Sequence, residues 1–174
     1  MFFLLFFFLF SKVITKHPYV VLYGSHKAKH VLINYFDIGC EHCLDFYRKI
    51  FPTIKKDFCN KGKLLFIYKP YPINQGTLAY MSCCQVLKDS AKNKALFETL
   101  MESDKPITLG IISECMEVLE TPFPGITSQV LQDSLTLTQK QKFDGLPVMF
   151  FDKKRVSDDD QDNILKFLVR KIKG

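Results

Sequence analysis

The 174-residue chain lacks several features that define large classes of proteins. Its apolar run from Phe2 to Phe10 is too short for a helix of about 20 residues that would cross a bilayer. The net charge of +6 is spread along the chain, and no Lys/Arg cluster is interleaved with aromatic residues, which argues against nucleic-acid binding. Repeats and low-complexity linkers are also absent, so the sequence predicts a single compact unit.

A complete metal site is missing as well. Cys40 and Cys43 are separated by two residues, a spacing that zinc sites share. A structural zinc site needs four ligands, but His17, His26 and His30 lie upstream and are scattered. We therefore expect no metal and no cofactor. A non-catalytic protein that holds Cu(I) or zinc through the same two cysteines is the alternative hypothesis.

What the chain does contain is a pair of thiols at the start of a predicted helix. Val31 to Phe36 has the β-branched and aromatic composition of a buried strand, and residues 37–39 form a turn after it. A helix is predicted from Cys40, because apolar residues then recur at spacings of three and four. These are Leu44, Tyr47, Ile50, Phe51, Ile54 and Phe58. The first turn of a helix favours a thiolate, the form that attacks disulfides.

The two residues between the cysteines are expected to shift the pKa of Cys40 in opposite directions. An imidazolium at His42 would stabilise the Cys40 thiolate and make the oxidised pair a stronger oxidant. A carboxylate at Glu41 would raise the pKa of Cys40 and weaken that tendency.

The sequence resembles the DsbA-like thiol-disulfide oxidoreductases of the thioredoxin superfamily. Residues 35–46, which read YFDIGCEHCLDF, are similar to the aromatic strand end, C-x-H-C site and helix start of that family. Leu64 to Tyr68 resembles its next central strand, and Gly145 to Phe151 resembles its proline loop and following strand. The resemblance implies an α/β thioredoxin-like fold with an inserted helical subdomain.

The resemblance also implies a role for each matching residue. Cys40 would be the exposed attacking thiol, Cys43 the buried resolving thiol and His42 the tuning residue. Pro147 would be a cis proline whose loop aligns a substrate backbone beside Cys40.

The chain departs from the family pattern at Glu41, where strongly oxidising members usually have proline, and at Leu146, where smaller β-branched residues are common. These two modulating positions leave the direction of electron flow open, so oxidase and isomerase remain alternatives.

The order of predicted elements divides the chain into three parts. Residues 1–16 form a signal peptide or short N-terminal anchor, residues 17–75 and 144–174 form the core, and residues 76–143 form a helical insertion. Tyr19 to Tyr23 is the predicted first strand, and Pro52 predicts a kink near Phe51. Thr108 is the predicted N-cap of a helix that starts at Leu109, and Ser128 to Phe143 is the last helix of the insertion.

The apolar run near the N-terminus has the length of a signal-peptide core. No Lys or Arg precedes it and no A-x-A-like cleavage site follows, so an uncleaved anchor is the alternative. Export would put the dithiol in an oxidising compartment, here the periplasm.

Three further cysteines could form a structural disulfide. Cys83 and Cys84 lie on an apolar predicted helix, where buried free thiols are the simpler interpretation. The alternative is a bond from Cys115 to one of them, which would join two helices of the insertion.

These features together predict a protein disulfide oxidoreductase that acts on unfolded or partly folded exported polypeptides through Cys40 and Cys43. A membrane redox partner that resets the dithiol is implied by the resemblance alone.

Overall fold

A mixed five-stranded sheet organises the computed structural model, which describes residues 17–173. The strands lie in the order β1-β3-β2-β4-β5, in which β2 and β3 are parallel and all other neighbours are antiparallel. Their bounds are β1 Val21–Tyr23, β2 His30–Phe36, β3 Leu64–Pro70, β4 Val148–Phe151 and β5 Lys154–Arg155. The first strand begins two residues later than the sequence predicted, after a turn that ends at Tyr19.

The register of β2 with its two neighbours positions the site. Tyr35 on β2 is paired with Val148, the first residue of the antiparallel β4. Because β4 starts where β2 ends, the residues just before Val148 lie next to the residues just after Phe36. The sheet thereby brings the loop before β4 to the turn after β2, although about a hundred residues separate them in sequence.

Helix α1 follows that turn and consists of four consecutive segments. They are Glu41–Asp45, the π-helical Phe46–Ile50, Phe51–Ile54 and the π-helical Lys55–Cys59. Near Phe51, where a kink was predicted, the helix contains a π-helical turn, in which the Phe51 amide donates to the carbonyl of Phe46, five residues back. This turn directly precedes Pro52, whose ring nitrogen cannot donate a helix bond.

The helices between β3 and β4 are α2 Gln75–Leu87, α3 Ser90–Glu102, α4 Leu109–Val118 and α5 Ser128–Lys140. The Thr108 hydroxyl accepts a hydrogen bond from the Ile111 amide at 3.3 Å, which confirms Thr108 as the N-cap of α4. Helix α5 ends three residues before the predicted Phe143, because Gln141 has an extended backbone conformation. The chain closes with α6 Asp158–Asp162 and α7 Ile164–Lys173.

An aromatic cluster joins the sheet to these helices. Phe97 of α3 is fully buried and its ring lies 5.0 to 5.5 Å from the rings of Phe36, Tyr47 and Tyr68. Such edge and tilted contacts stabilise a core beyond simple burial. The predicted thioredoxin-like fold with inserted helices is confirmed.

Within residues 17–173, every helix is too short or too polar to cross a membrane. The predicted leader lies outside the described residues.

Candidate active site

The two thiols occupy the start of α1 as predicted, but their environments differ. Cys40 has an extended backbone as the residue before the helix, and its carbonyl accepts from the Leu44 amide at 3.0 Å. The Cys40 side chain is partly exposed, whereas Cys43 is buried among core residues. An incoming disulfide or thiol can therefore reach only the first sulfur.

The thiols also differ in acidity. A hydrogen bond from the Cys43 thiol lowers the pKa of Cys40 to about 6, and the backbone amides of Cys43 and His42 act in the same direction. The same side-chain bond, together with burial, raises the pKa of Cys43. At neutral pH the accessible sulfur is thus mainly a thiolate, while its neighbour keeps its proton.

The proline loop faces Cys40. The peptide bond between Leu146 and Pro147 is cis, as the resemblance implied. The Cys40 sulfur lies 3.6 Å from the carbonyl oxygen of Leu146, to which it donates a hydrogen bond in its protonated form, and the Leu146 side chain packs against the main core. The structure therefore brings Cys40, Cys43, Leu146 and Pro147 together.

Glu41 and His42 are both exposed to solvent. His42 lowers the pKa of Cys40 through its backbone amide. Among the principal influences on that pKa, the charge that raises it is that of Asp37. The tuning that we expected from the His42 imidazole and the Glu41 carboxylate stays a prediction.

Sequence reasoning missed Asp37 as part of the site. Its side chain is fully buried, and it accepts hydrogen bonds from the Gly39 amide at 2.8 Å, the Ile73 amide at 3.0 Å and the side-chain amide of Asn74. Asn74 in turn is the N-cap of α2. The available signal was a carboxylate at the end of a buried strand, three residues before the first thiol, where solvent cannot satisfy it.

Thr77 completes this connection between the turn and α2. Its amide donates to the Asn74 side chain at 3.0 Å, and its hydroxyl accepts from the Ile38 amide at 3.0 Å. The turn that carries the dithiol is therefore fixed to the first turn of α2 by both backbone and side-chain hydrogen bonds.

The other cysteines lie away from this turn. Cys83 and Cys84 of α2 are fully buried, and desolvation raises the pKa of Cys83 to about 12 with a smaller contribution from Cys115 of α4. Cys84 instead interacts with the Tyr80 hydroxyl. Cys115 is thus among the principal influences on the pKa of Cys83 and not among those on the pKa of Cys84. All six cysteines are free thiols here, so their pairing stays a prediction.

The described part of the chain contains no group of three or more His, Cys, Asp or Glu side chains placed to hold a metal ion.

Comparison with known proteins places this site in a family. The family model described as thioredoxin matches residues 16–169, so the chain belongs to the thioredoxin family. Among solved structures, BdbD of Bacillus subtilis superposes with a TM-score of 0.68 at 22% identity, covering 90% of this chain and 94% of that one. Alpha-DsbA1 of Wolbachia pipientis gives a TM-score of 0.68 at 17% identity, covering 92% and 94%. These structures confirm the DsbA-like resemblance at the level of the fold.

Curated relatives match over a short stretch. A Rickettsia typhi protein named by inference as a protein-disulfide oxidoreductase is 27% identical over 48 residues, which is 28% of this chain and 18% of that protein. A Rickettsia prowazekii protein with the same type of name matches to the same extent. The aligned stretch thus spans under a fifth of the length of these relatives, and neither name supports the soft-metal alternative.

Proposed function

We propose that this protein is a thiol-disulfide oxidoreductase in which Cys40 reacts with the substrate and Cys43 resolves the intermediate. The observation that carries the proposal is the difference between the two sulfurs: Cys40 is accessible with a pKa near 6, while Cys43 is buried with a raised pKa. An acidic thiol is a good leaving group, and a buried one cannot be trapped by solvent species.

In the oxidising direction, a substrate thiolate attacks the Cys40 sulfur of the Cys40–Cys43 disulfide. The S–S bond breaks, and Cys43 leaves and takes up a proton, as its raised pKa favours. A second substrate thiolate then attacks the substrate sulfur of the mixed disulfide and releases Cys40 as a thiolate. The substrate loses two electrons and the protein dithiol gains them.

In the reducing or isomerising direction the same bonds form in reverse. The Cys40 thiolate attacks a substrate disulfide and releases one substrate thiolate. Cys43 then loses its proton and attacks the Cys40 sulfur, which frees the second substrate thiol and leaves the protein oxidised.

The surroundings of Cys40 favour polypeptide substrates with apolar side chains. Ile73 is 64% exposed, although its amide is fixed to Asp37 in the turn before the dithiol. Leu146 and Pro147 are partly exposed on the opposite loop. An unfolded or partly folded exported polypeptide offers such side chains along with its thiols. A membrane redox partner would return the dithiol to its starting state.

The place of action that suits this chemistry is outside the cytoplasm, in the periplasm. A dithiol of this kind meets disulfides and unpaired thiols of newly exported proteins there. The apolar run from Phe2 to Phe10 supports export. Cell fractionation of the full chain tests this: recovery with cytosolic markers would contradict it.

The function is tested with two substitutions and a control. Cys40→Ala should abolish disulfide transfer to a reduced peptide with two thiols. Cys43→Ala, when given a peptide that contains a disulfide, should accumulate mixed disulfides that are visible in non-reducing gels, because the Cys40 thiolate attacks the peptide disulfide and is not released. Cys115→Ala, on α4, should keep the transfer activity. Retained turnover in Cys40→Ala would refute the proposal.

A further inference from the structure

Within the part of the chain that the structure describes, the buried carboxylate of Asp37 forms no ion pair with a cationic side chain. Its hydrogen bonds come from the neutral amides of Gly39, Ile73 and Asn74. Within residues 17–173 the ion pairs involve other acidic residues and leave Asp37 out. These amide donors add no positive charge, and a charge that is screened neither by solvent nor by a counter-ion acts over a longer range.

The dithiol lies within the range of this charge. The Asp37 carbonyl accepts a hydrogen bond from the Cys40 amide at 3.1 Å, so the carboxylate and the reactive sulfur belong to the same turn. The negative charge of Asp37 raises the pKa of both Cys40 and Cys43, whereas the Asp37 backbone amide lowers that of Cys43.

The other ionisable groups on this turn are few. Glu41 and His42 are exposed, so water and salt screen their side chains. The residues hydrogen-bonded to the turn from elsewhere in the described chain include Ile73, Asn74, Thr77 and Leu146, and these four carry no ionisable side chain. Asp37 is therefore the buried charge that faces the dithiol.

We propose that Asp37 is a positioning residue that holds the dithiol turn in place and, through its charge, shifts the dithiol-disulfide equilibrium toward the disulfide. This inference deepens the proposed function and rests on it. A negative charge disfavours the thiolate, which exists only in the reduced form. The carboxylate thus makes the protein a weaker oxidant than the same dithiol would be without the charge of Asp37.

The test is the equilibrium in which the protein disulfide and two glutathione molecules give the protein dithiol and glutathione disulfide. In Asp37→Asn we expect the pKa of Cys40 to fall by about one unit, and the equilibrium at pH 7 to shift up to about tenfold toward the dithiol. Asp45→Asn is the matched control, since it makes the same substitution at an exposed carboxylate of α1 that is paired with Lys49; we expect a shift of less than about twofold.

Asn74→Ala distinguishes the proposed effect of the Asp37 charge from a purely structural role of Asp37. This variant loosens the same hydrogen-bond network but keeps the Asp37 charge, so its stability should fall while its glutathione equilibrium stays within about twofold of the parent. The proposal would be overturned if folded Asp37→Asn had the same glutathione equilibrium as the parent and the same pH midpoint for alkylation of Cys40. Equal shifts of the glutathione equilibrium in Asp37→Asn and Asn74→Ala would also overturn it.

The unsubstituted protein provides a measurement that does not depend on the folding of variants. With carbon-13 at the aspartate carboxyl groups, the Asp37 resonance should move as Cys40 titrates in the reduced protein, and should not do so over that pH range in the oxidised protein. A resonance that is insensitive to Cys40 would overturn the inference. The glutathione equilibrium can be measured whether or not polypeptides are substrates, so failure of this inference is distinguishable from failure of the proposed function.

Discussion

The Cys40 sulfur lies 3.6 Å from the carbonyl oxygen of Leu146, so the dithiol and the proline loop form one continuous surface. The first residue follows β2 and the second precedes β4, and the pairing of Tyr35 with Val148 brings them together. In the proposed function, a polypeptide that reaches the reactive sulfur would therefore also contact the proline loop.

The acidity of Cys40 predicts a pH profile for alkylation. Because the pKa of Cys40 is lowered to about 6, its thiolate fraction should rise through pH 6 and be nearly complete by about pH 7.5. Iodoacetamide labelling of the reduced protein, followed residue by residue with mass spectrometry, measures this profile. Cys115 is the internal control, since burial raises the pKa of its thiol and its labelling should increase only at higher pH. A Cys40 midpoint above pH 8 would contradict the prediction.

Gly39 should be intolerant of a side chain. A Cβ atom at this position would lie 2.3 Å from the Asn74 side-chain nitrogen, so it would displace the residue that binds Asp37 and caps α2. We expect Gly39→Ala to lower the free energy of unfolding by about 1–3 kcal/mol, measured by urea denaturation. Gly145→Ala is the matched control, because a Cβ there meets no atom within 4 Å. Equal stability of the two variants would show that the close contact at Asn74 relaxes freely.

The aromatic cluster around Phe97 should contribute strongly to stability. Phe97→Ala removes a fully buried ring and leaves a cavity between α3 and the sheet, so we expect a loss of about 3–5 kcal/mol. Phe97→Leu keeps most of the volume and should cost less. Val118→Ala, at a side chain that is 83% exposed, should change stability by less than about 0.5 kcal/mol. Urea midpoints give all three values, and a loss below about 1 kcal/mol for Phe97→Ala would contradict the described packing.

A second disulfide, if the oxidised protein forms one outside the active site, should join Cys83 and Cys115. These residues lie on the packed helices α2 and α4, and Cys115 acts electrostatically on Cys83. The bond would close a loop of about 30 residues and contribute roughly 3–4 kcal/mol by the loop-entropy model. Peptide mapping under non-reducing conditions checks this. A bond from Cys84 to Cys115 would refute it, and free alkylation of Cys83, Cys84 and Cys115 without reductant in the denatured protein would show that all three are free thiols.

The sequence predicted those parts of the molecule that depend on local patterns. The β-branched run that ends at Phe36 forms a strand, and the Thr108 hydroxyl caps a helix, because each depends on neighbours within a few residues. The proline loop was predicted from its resemblance to a known family, whereas periodicity alone would have allowed an ordinary edge strand at Val148.

The remaining part of the site depends on contacts that spacing does not encode. Asp37 is readable in the sequence only as a turn residue, and its burial follows from Ile73 and Asn74, which lie beyond β3. Glu41, which is adjacent to Cys40 in sequence, is exposed. The effect expected of Glu41 stays a prediction, whereas the contacts of Asp37 are visible only in the packed structure.

The position of the helices α2 to α5 in the chain has a further consequence. The chain leaves the sheet after β3 and returns as β4, and both strands pair directly with β2. The pairing that sets Cys40 against Leu146 thus depends on backbone bonds within the sheet and is independent of how long the intervening helices are. A change in the length of that helical region would therefore leave the pairing of the two active-site loops intact.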